Sequence, residues 1–190
     1  MSQKANFFQL SAKFLLAGVG LPNDKPAAHI LVETRGGSSE AMMISPAGLV
    51  YSKSISVGWD DLDTAIVNYL KRAYNLTIEG YTLEEIKMRA IPAFAMGEEN
   101  ALNVCGRDSI SNSPKTITIS SQEIHELLSD MVHGIVGLLR NVMDRCPPEL
   151  LAYFKGRGIC LLGSGAGIKG VDQILSNATG FPVVVLQEHS

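Results

Sequence analysis

The feature that most constrains the fold is a long amphipathic segment in the second half of the chain. Ser120 and Glu123 have the spacing of a capping box, which starts a helix. Pro147 and Pro148 end the segment, because proline interrupts helical hydrogen bonding. Apolar residues between them keep one stripe over about five turns, and they are Ile124, Leu127, Leu128, Met131, Ile135, Leu138, Leu139 and Val142. A stripe of that length has to be buried, so we expect this helix to pack on a sheet.

The segment after this helix has the order strand, glycine turn, helix, strand. Short apolar runs at 158–162 and 181–186 are typical of buried strands. A glycine-rich turn covers 163–167, and helical spacing covers 169–177. Two strands joined through a helix lie parallel in a sheet. This crossover predicts an α/β fold.

An antiparallel meander is predicted near the start of the chain. Three apolar runs, at 29–33, 40–45 and 49–57, are separated by tight turns rich in glycine and proline. A short apolar helix is expected at 7–20, before the first of these strands. The meander supplies three more strands for the sheet.

Two helices and a hairpin are predicted between the meander and the long helix. We expect Asp60 to be the N-cap of the first helix. Thr82, with Glu85 three residues later, has the capping-box pattern for the second helix, and Pro92 is expected to stop it. Alternating polar and apolar residues predict a hairpin over 101–119.

Composition excludes several classes of protein. The 190 residues are 46% hydrophobic and 18% charged, with a formal net charge of −3. The apolar content is too high for a disordered chain, and no basic cluster marks a nucleic-acid or anionic-membrane partner. No apolar run reaches the roughly 18 residues of a membrane helix, so we expect a soluble, cytoplasmic protein. Cys105, Cys146 and Cys160 are widely separated, so neither a disulfide framework nor a metal site is expected.

Two glycine turns are the candidates for ligand binding. They cover residues 34–39 (TRGGSS), after the first strand of the meander, and 162–167 (LGSGAG), between a strand and a helix. Glycines let backbone N–H groups approach a phosphate or a ribose. The alternative is a purely structural turn, and the residues alone leave both interpretations open. No acidic residue follows at the distance that a dinucleotide-binding fold requires.

A charged cluster is the other candidate. It consists of Glu84, Glu85 and Lys87, on the predicted helix that starts near Thr82. The structural alternative is a solvated helix face with a stabilising Glu–Lys pair. The sequence has no Ser–His–Asp order, no P-loop and no paired acid and base.

Several strings, in order along nearly the whole chain, resemble the second half of an MreB-family bacterial actin. They are 50–58 (VYSKSISVG), 68–76 (NYLKRAYNL), 84–87 (EEIK), 113–121 (SPKTITISS), 147–150 (PPEL) and 157–159 (RGI). The resemblance implies the second lobe of an actin-like ATPase, of the ribonuclease H-like type. That lobe is an α/β fold, a mixed sheet with flanking helices plus a small inserted α+β subdomain. It divides this chain into a larger sheet-bearing subdomain, 1–58 and 121–190, and a smaller one, 59–120.

The resemblance also implies the residues of a nucleotide site. The family's second phosphate loop corresponds here to Gly36, Gly37 and Ser38. The family motif that lines adenine and ribose corresponds to Glu84, Glu85, Ile86 and Lys87. The family's Gly-Gly-Gly-Ala corresponds to Gly163, Ser164, Gly165 and Ala166.

The chain departs from the family pattern in the parts that serve catalysis. Glu33 stands where the family has the aspartate that holds the magnesium shell, and Arg35 stands where it has a glycine. Residues 10–12 (LSA) stand where the family's Glu-Glu-Pro supplies the carboxylate that positions the attacking water. The family's first lobe, with the first phosphate loop and MreB's membrane-binding element, lies outside the resemblance. We therefore expect weak binding of ATP and magnesium, no catalytic residue, and no hydrolysis by the isolated chain.

The function that the resemblance implies is that of a cytoskeletal, cell-shape-related filament component or modulator. Its partners would be actin-like filament subunits, or further copies of this chain, through an exposed apolar face between lobes. Neither nucleic acid nor direct insertion into a membrane is expected. The alternatives are a non-filament binding or capping module, half of a split ATPase completed by another chain, and an inactive remnant. The residues at 10–12 disfavour an enzyme, and the intact caps and apolar stripes disfavour a remnant.

Overall fold

The computed structural model describes residues 29–45, 48–150 and 158–186. Its elements in chain order are β1 (His29–Thr34), β2 (Ser39–Ser45), β3 (Gly48–Ile55), α1 (Trp59–Tyr74), β4 (Leu76–Thr77), α2 (Gly80–Ala95), β5 (Ala101–Asp108), β6 (Pro114–Ser120), α3 (Ser121–Asp144), β7 (Ile159–Gly163), one turn of 3-10 helix (Ser164–Gly167), α4 (Val171–Thr179) and β8 (Val183–Val185). The helix predicted at 7–20, and residues 10–12 within it, lie outside the described residues.

A five-stranded mixed sheet forms the larger layer of the fold, in the order β3-β2-β1-β7-β8. β1 pairs antiparallel with β2, with Ile30 opposite Met43, and parallel with β7, with Ile30 opposite Ile159. β8 runs parallel to β7. The predicted meander and the predicted parallel crossover are both confirmed, and with them the α/β class.

The long helix α3 contacts this sheet at β2 and β3, as its apolar stripe predicts. Ser120 Oγ accepts a hydrogen bond from the Glu123 N–H, and the Glu123 carboxylate accepts one from the Ser120 N–H, so the capping box is confirmed. The buried side chains of α3 share one hydrophobic cluster with Ile30, Val32 and Met43 of the sheet. The alternate residues of the same strands, such as Leu31 and Met42, form a second cluster, because successive side chains of a strand point to opposite faces.

A smaller antiparallel sheet has the order β4-β5-β6. The predicted hairpin is confirmed as β5 and β6, with Val104 opposite Ile117. Leu102, Val104 and Ile119 are buried in the same hydrophobic cluster as the side chains of α1, α2 and α3. α2 and α3 therefore connect the small sheet to the core of the large one.

The predicted start of α1 is wrong by two residues, and this matters for the site below. The helix begins at Trp59, and its N-cap is Gly58 rather than Asp60. The Asp61 carboxylate accepts a hydrogen bond of 2.7 Å from the Gly58 N–H, which satisfies a donor at the helix start. Asp60 and Asp61 lie in the first turn, where the helix dipole favours negative charge.

The predicted ends of α2 are also wrong. The helix begins at Gly80, Thr82 is buried inside it, and the N-cap Glu79 makes no side-chain cap bond. The helix passes through Pro92, although a proline removes one helical hydrogen bond. Ile91 and Ala93 on either side are buried in the core, and this packing outweighs the lost bond.

The last strand differs from its prediction in burial. β8 lies at the edge of the large sheet, and Val184 is 46% exposed, so this is not the buried strand that its apolar run predicts. None of the helices within the described ranges has the length and apolarity needed to cross a membrane.

Candidate functional site

The two glycine turns lie side by side at the carboxyl ends of β1 and β7, two central strands of the large sheet. β1 and β7 are parallel neighbours, and Thr34 at the end of β1 is opposite Gly163 at the end of β7. The Ser164 hydroxyl donates a hydrogen bond of 3.3 Å to the Thr34 carbonyl. The carboxyl ends of neighbouring parallel strands are where open α/β sheets bind ligands. The fold thus brings together two turns that are more than 120 residues apart in sequence.

Trp59 joins the two turns, and sequence reasoning missed it. Its indole Nε1 donates a hydrogen bond of 3.1 Å to Thr34 Oγ1, which itself donates one of 3.4 Å to the Leu162 carbonyl. The side chain is only 4% exposed. A Cβ added to Gly165 would lie 2.0 Å from Nε1, so the indole fills the space against that glycine. The one signal in the sequence was the chain's single tryptophan, directly after Gly58 at a helix start.

The first turn, which contains Gly36, Gly37 and Ser38, is held by the start of α1. The N–H groups of Trp59 and Asp60 donate to the carbonyls of Arg35 and Gly36, at 3.1 and 2.7 Å. A Cβ on Gly36 would lie 2.5 Å from the Asp60 carboxylate, whereas a Cβ on Gly37 would have no neighbour within 4 Å. A side chain at Gly36 would therefore have to displace the exposed Asp60 carboxylate, whereas Gly37 leaves its backbone open to a ligand.

The second turn also has structural reasons for its glycines. Gly163 has a φ of +87°, and an added Cβ would lie 2.2 Å from the Thr34 carbonyl oxygen. Gly165 is buried against Trp59, whereas Ser164 is exposed. Ala166 packs at the rim of the core. Ser164 and Gly167 are therefore the parts of this turn that are most open to a ligand.

An acidic cleft of about 190 Å³ lies beside the first turn, lined by Glu33, Arg35, Ser38, Glu40, Ser54, Ile55 and Ser56. Arg35 donates two hydrogen bonds to the Glu33 carboxylate, from Nε to Oε1 at 2.8 Å and from Nη2 to Oε2 at 2.6 Å. Burial raises the pKa of Glu40, Arg35 partly offsets this, and the charge of Glu33 adds to the rise. Arg35 therefore folds back on a carboxylate and does not extend across the turn.

The charged cluster on α2 is solvated only in part: Glu84 and Glu85 are exposed, whereas Lys87 is buried. Lys87 is 4% exposed, and its Nζ lies 2.7 Å from an oxygen of Asp63 and 2.7 Å from one of Glu84. Burial lowers the pKa of Lys87, but the hydrogen bonds to these two carboxylates outweigh it and leave the pKa raised. Ile86 is buried, and Glu85 is exposed and pairs with Arg89. The expected Glu84–Lys87 pair is present, and the second pair, Lys87–Asp63, cross-links α1 to α2.

α1 connects this cluster with the glycine turns. Trp59 contacts the turns, and Asp63, four residues later on the same helix face, holds Lys87. The hydrogen bonds described for Glu84 and Lys87 reach no residue of either turn directly. The three groups of predicted site residues are thus linked through the first turns of one helix.

The sequence also predicts that the chain has no metal site and that it has an exposed apolar face. Within the described ranges no three His, Cys, Asp or Glu side chains are grouped so as to hold a metal ion. The exposed large apolar side chains of the described part are Val50, Tyr81, Met88, Met96, Ile110 and Val184. Tyr81 and Met88 lie on α2 and Met96 is its C-cap, whereas the other three belong to other parts of the fold. The continuous apolar face between lobes stays a prediction.

Comparison with known proteins identifies the family of the chain. The family model described as MreB/Mbl protein matches residues 7–190. The cell shape-determining protein MreB of Escherichia coli (strain K12) is 37% identical over 171 residues, which are 90% of this chain and 49% of that protein. The cell shape-determining protein Mbl of Bacillus subtilis (strain 168) is 34% identical over 181 residues, 95% of this chain and 54% of the relative. The chain spans about half the length of these curated relatives.

Solved structures show the same fold. MreB5 of Spiroplasma citri bound to AMPPNP is 29% identical, with a TM-score of 0.80 over 92% of this chain and 53% of that one. MreB5 bound to ADP gives a TM-score of 0.81. A non-polymerising MamK mutant bound to AMPPNP, at 15% identity and a TM-score of 0.67, shares the fold alone. The fold is therefore actin-like, a mixed sheet with flanking helices, and by its sequence the chain belongs to the MreB/Mbl family.

Proposed function

We propose that this chain is a component of MreB-type, cell-shape-related cytoskeletal filaments in the cytoplasm. The observation that carries the proposal is the family match over residues 7–190, together with a TM-score of 0.80 to MreB5. In this proposal residues 59–120 are the smaller subdomain of an actin-like second lobe, and the five-stranded sheet belongs to the larger one. The partners are actin-like filament subunits or further copies of the chain.

We propose further that the two glycine turns bind the phosphates of an adenine nucleotide. The backbone at Gly37 is open, and the turns also carry the hydroxyl groups of Ser38 and Ser164. Backbone N–H groups in glycine turns form anion-binding concavities. The MreB5 structures are of a protein bound to AMPPNP and to ADP, which supports the same class of ligand here.

The nucleoside would lie along α2, at Glu84, Glu85, Ile86 and Lys87. Lys87 is already held by Asp63 and Glu84, so its role is to fix the Glu84 carboxylate rather than to reach the ligand. Glu84 and Glu85 are exposed and offer acceptors for ribose hydroxyls. The position of α1 relative to the phosphate-binding turns depends on Trp59, because this side chain holds the start of α1 against both turns.

The 190-residue chain by itself is expected to bind ATP weakly and to hydrolyse none. In this proposal the two turns cover a nucleotide from one side, and a site that buries little of its ligand binds it weakly. Each missing contact to a charged phosphate removes about 1.5–3 kcal/mol. At about 1.4 kcal/mol for each tenfold change, losing several takes a micromolar site to the millimolar range.

Calorimetry with Mg-ATP and a phosphate-release assay test this part of the proposal. We expect a millimolar Kd that Gly37→Val weakens further, because the new side chain would cover an open backbone. Gly137→Ala is the matched control, since its Cβ also has no neighbour within 4 Å and it lies on α3. Micromolar binding, or turnover of ATP by the chain alone, would contradict the proposal and favour the split-ATPase alternative.

A capping module is the other function that this fold allows. A filament component joins along the whole polymer, and its bound amount rises with the mass of polymer. A capping module binds only at ends, and its bound amount rises with the number of filaments. Pelleting sheared and unsheared filaments of equal mass distinguishes the two, because shearing raises only the number of ends.

A further inference from the structure

Two carboxylates face each other in the cleft beside the first glycine turn. Glu33 on β1 and Glu40 on β2 are directly opposite partners in the antiparallel pair, so their side chains lie on the same face of the sheet. Both line the cleft, and Glu40 is half-buried. Two like charges in one partly buried cleft destabilise each other unless a cation compensates them.

Arg35 supplies that cation from within the chain. Its guanidinium holds both oxygens of Glu33 in a two-bonded pair, at 2.6 and 2.8 Å. Among the residues that line the cleft, Arg35 is the only basic one, and its charge also acts on Glu40. A pair of parallel N–H···O bonds of this kind is geometrically specific and stronger than a neutral hydrogen bond.

The cleft in this form does not fit a magnesium ion. Mg²⁺ needs carboxylate oxygens at about 2.0–2.1 Å in nearly octahedral geometry. Both Glu33 oxygens already accept hydrogen bonds from Arg35, and the positive guanidinium would repel a second cation. The proposed binding of a nucleotide therefore does not require a magnesium ion at Glu33.

We propose that Arg35 replaces a divalent cation at the Glu33–Glu40 pair, so that a nucleotide phosphate meets the guanidinium and not a metal ion at this edge of the sheet. The phosphate part of this inference rests on the proposed function, whereas the replacement of the cation does not. The Arg35 side chain is 55% exposed, and a guanidinium has five N–H donors, of which the Glu33 pair uses two. The Glu33 pair therefore leaves three N–H donors of this exposed guanidinium for an anion.

The first test is binding of Mn²⁺ to the ligand-free chain, measured from the signal of free Mn²⁺ in electron paramagnetic resonance. We compare the wild type with Arg35→Gln and with the control Arg72→Gln, an exposed arginine on α1 whose Nε donates only to its own helix backbone. Arg35→Gln should bind Mn²⁺ at least about tenfold more tightly than the wild type and the control. Adding Glu33→Gln to Arg35→Gln should abolish the gain. Equal Mn²⁺ affinity in the wild type and Arg35→Gln, with circular dichroism showing both folded, would overturn the inference.

The second test is binding of ADP, measured by ligand-observed NMR with Mg²⁺ present and with EDTA in its place. In the wild type we expect the same affinity in both conditions, and in Arg35→Gln an affinity that needs Mg²⁺. A tenfold gain from Mg²⁺ in the wild type would refute the role of Arg35 and leave the proposed function intact. If ADP binds in neither condition, the proposed nucleotide site fails, and the Mn²⁺ titration alone decides whether Arg35 replaces the cation.

Discussion

Replacing Gly165 by alanine tests whether Trp59 holds the two glycine turns together. The added Cβ would lie 2.0 Å from Trp59 Nε1 and 2.2 and 2.3 Å from two ring carbons. Such distances are far inside van der Waals contact. The ring is rigid and buried, so either the indole or the 3-10 turn has to move, and the hydrogen bond from Nε1 to Thr34 Oγ1 is lost.

The expected cost follows from these two effects. Overpacking a buried site costs about 1–3 kcal/mol, and a lost hydrogen bond costs about 0.5–1.5 kcal/mol. We therefore expect Gly165→Ala to lower the free energy of unfolding by about 1.5–4.5 kcal/mol. Urea denaturation followed by circular dichroism measures that free energy. Trp59 is the only tryptophan of the chain, so a red shift of its emission reports the displaced indole directly.

Gly167→Ala is the matched control for this variant. Gly167 lies in the same 3-10 turn, and its Cβ would have no neighbour within 4 Å. It should change the free energy of unfolding by less than about 0.5 kcal/mol and leave the emission unchanged. If Gly165→Ala behaves like this control in both measurements, Trp59 does not join the turns and the reasoning is refuted.

Three further predictions concern the core and its titratable groups. Leu128→Ala or Leu138→Ala should cost about 2–5 kcal/mol in urea denaturation, because both side chains are buried on α3, and a loss under about 0.5 kcal/mol at both would show that this face is not core. Burial raises the pKa of Glu123, but hydrogen bonds from the Ser120 N–H and from the Tyr69 and Tyr74 hydroxyls outweigh it, so the pKa is lowered. The ionised Glu123 therefore stabilises the fold above its unfolded pKa, and this contribution is lost as pH falls below about 4.5. In acid denaturation the difference in stability between wild type and Glu123→Gln should shrink over that range. His125 stacks on Phe94 with ring centroids 3.6 Å apart, and burial lowers the pKa of the imidazole. The free energy of unfolding should therefore fall as pH drops below about 6.5. His125→Phe should make this free energy less dependent on pH between pH 7 and 6.

Sequence periodicity was sufficient to predict the strands of the meander, the long helix α3 and the hairpin. In each of these the pattern and the tertiary burial agree: alternate residues of β1 face opposite sides of the sheet, and the α3 stripe faces the core. The ends of α2 could not be predicted in this way. Burial of Ile91 and Ala93 carries the helix through Pro92, and that burial is a property of the folded chain.

The candidate site shows the same limit. The two glycine turns could be found from local sequence, but their contact across β1 and β7 depends on strand order. The spacing of Glu84 and Lys87 predicts a solvated pair, whereas the bond from Lys87 to Asp63 depends on the packing of two helices. Trp59 has no motif of its own, because its role comes from the space against Gly165. Arg35 could be identified as a departure from the family's glycine, whereas its bond to Glu33 requires the folded turn.

Co-sedimentation with filaments of full-length Escherichia coli MreB tests the central claim most directly. The chain is mixed with MreB under polymerising and non-polymerising conditions, and the pellet is analysed after ultracentrifugation, with the chain alone as the control for aggregation. Membership of MreB-type filaments predicts that the chain pellets only with polymer, in an amount that rises with the mass of MreB and then saturates. A chain that stays in the supernatant at every concentration of polymerised MreB would contradict the account.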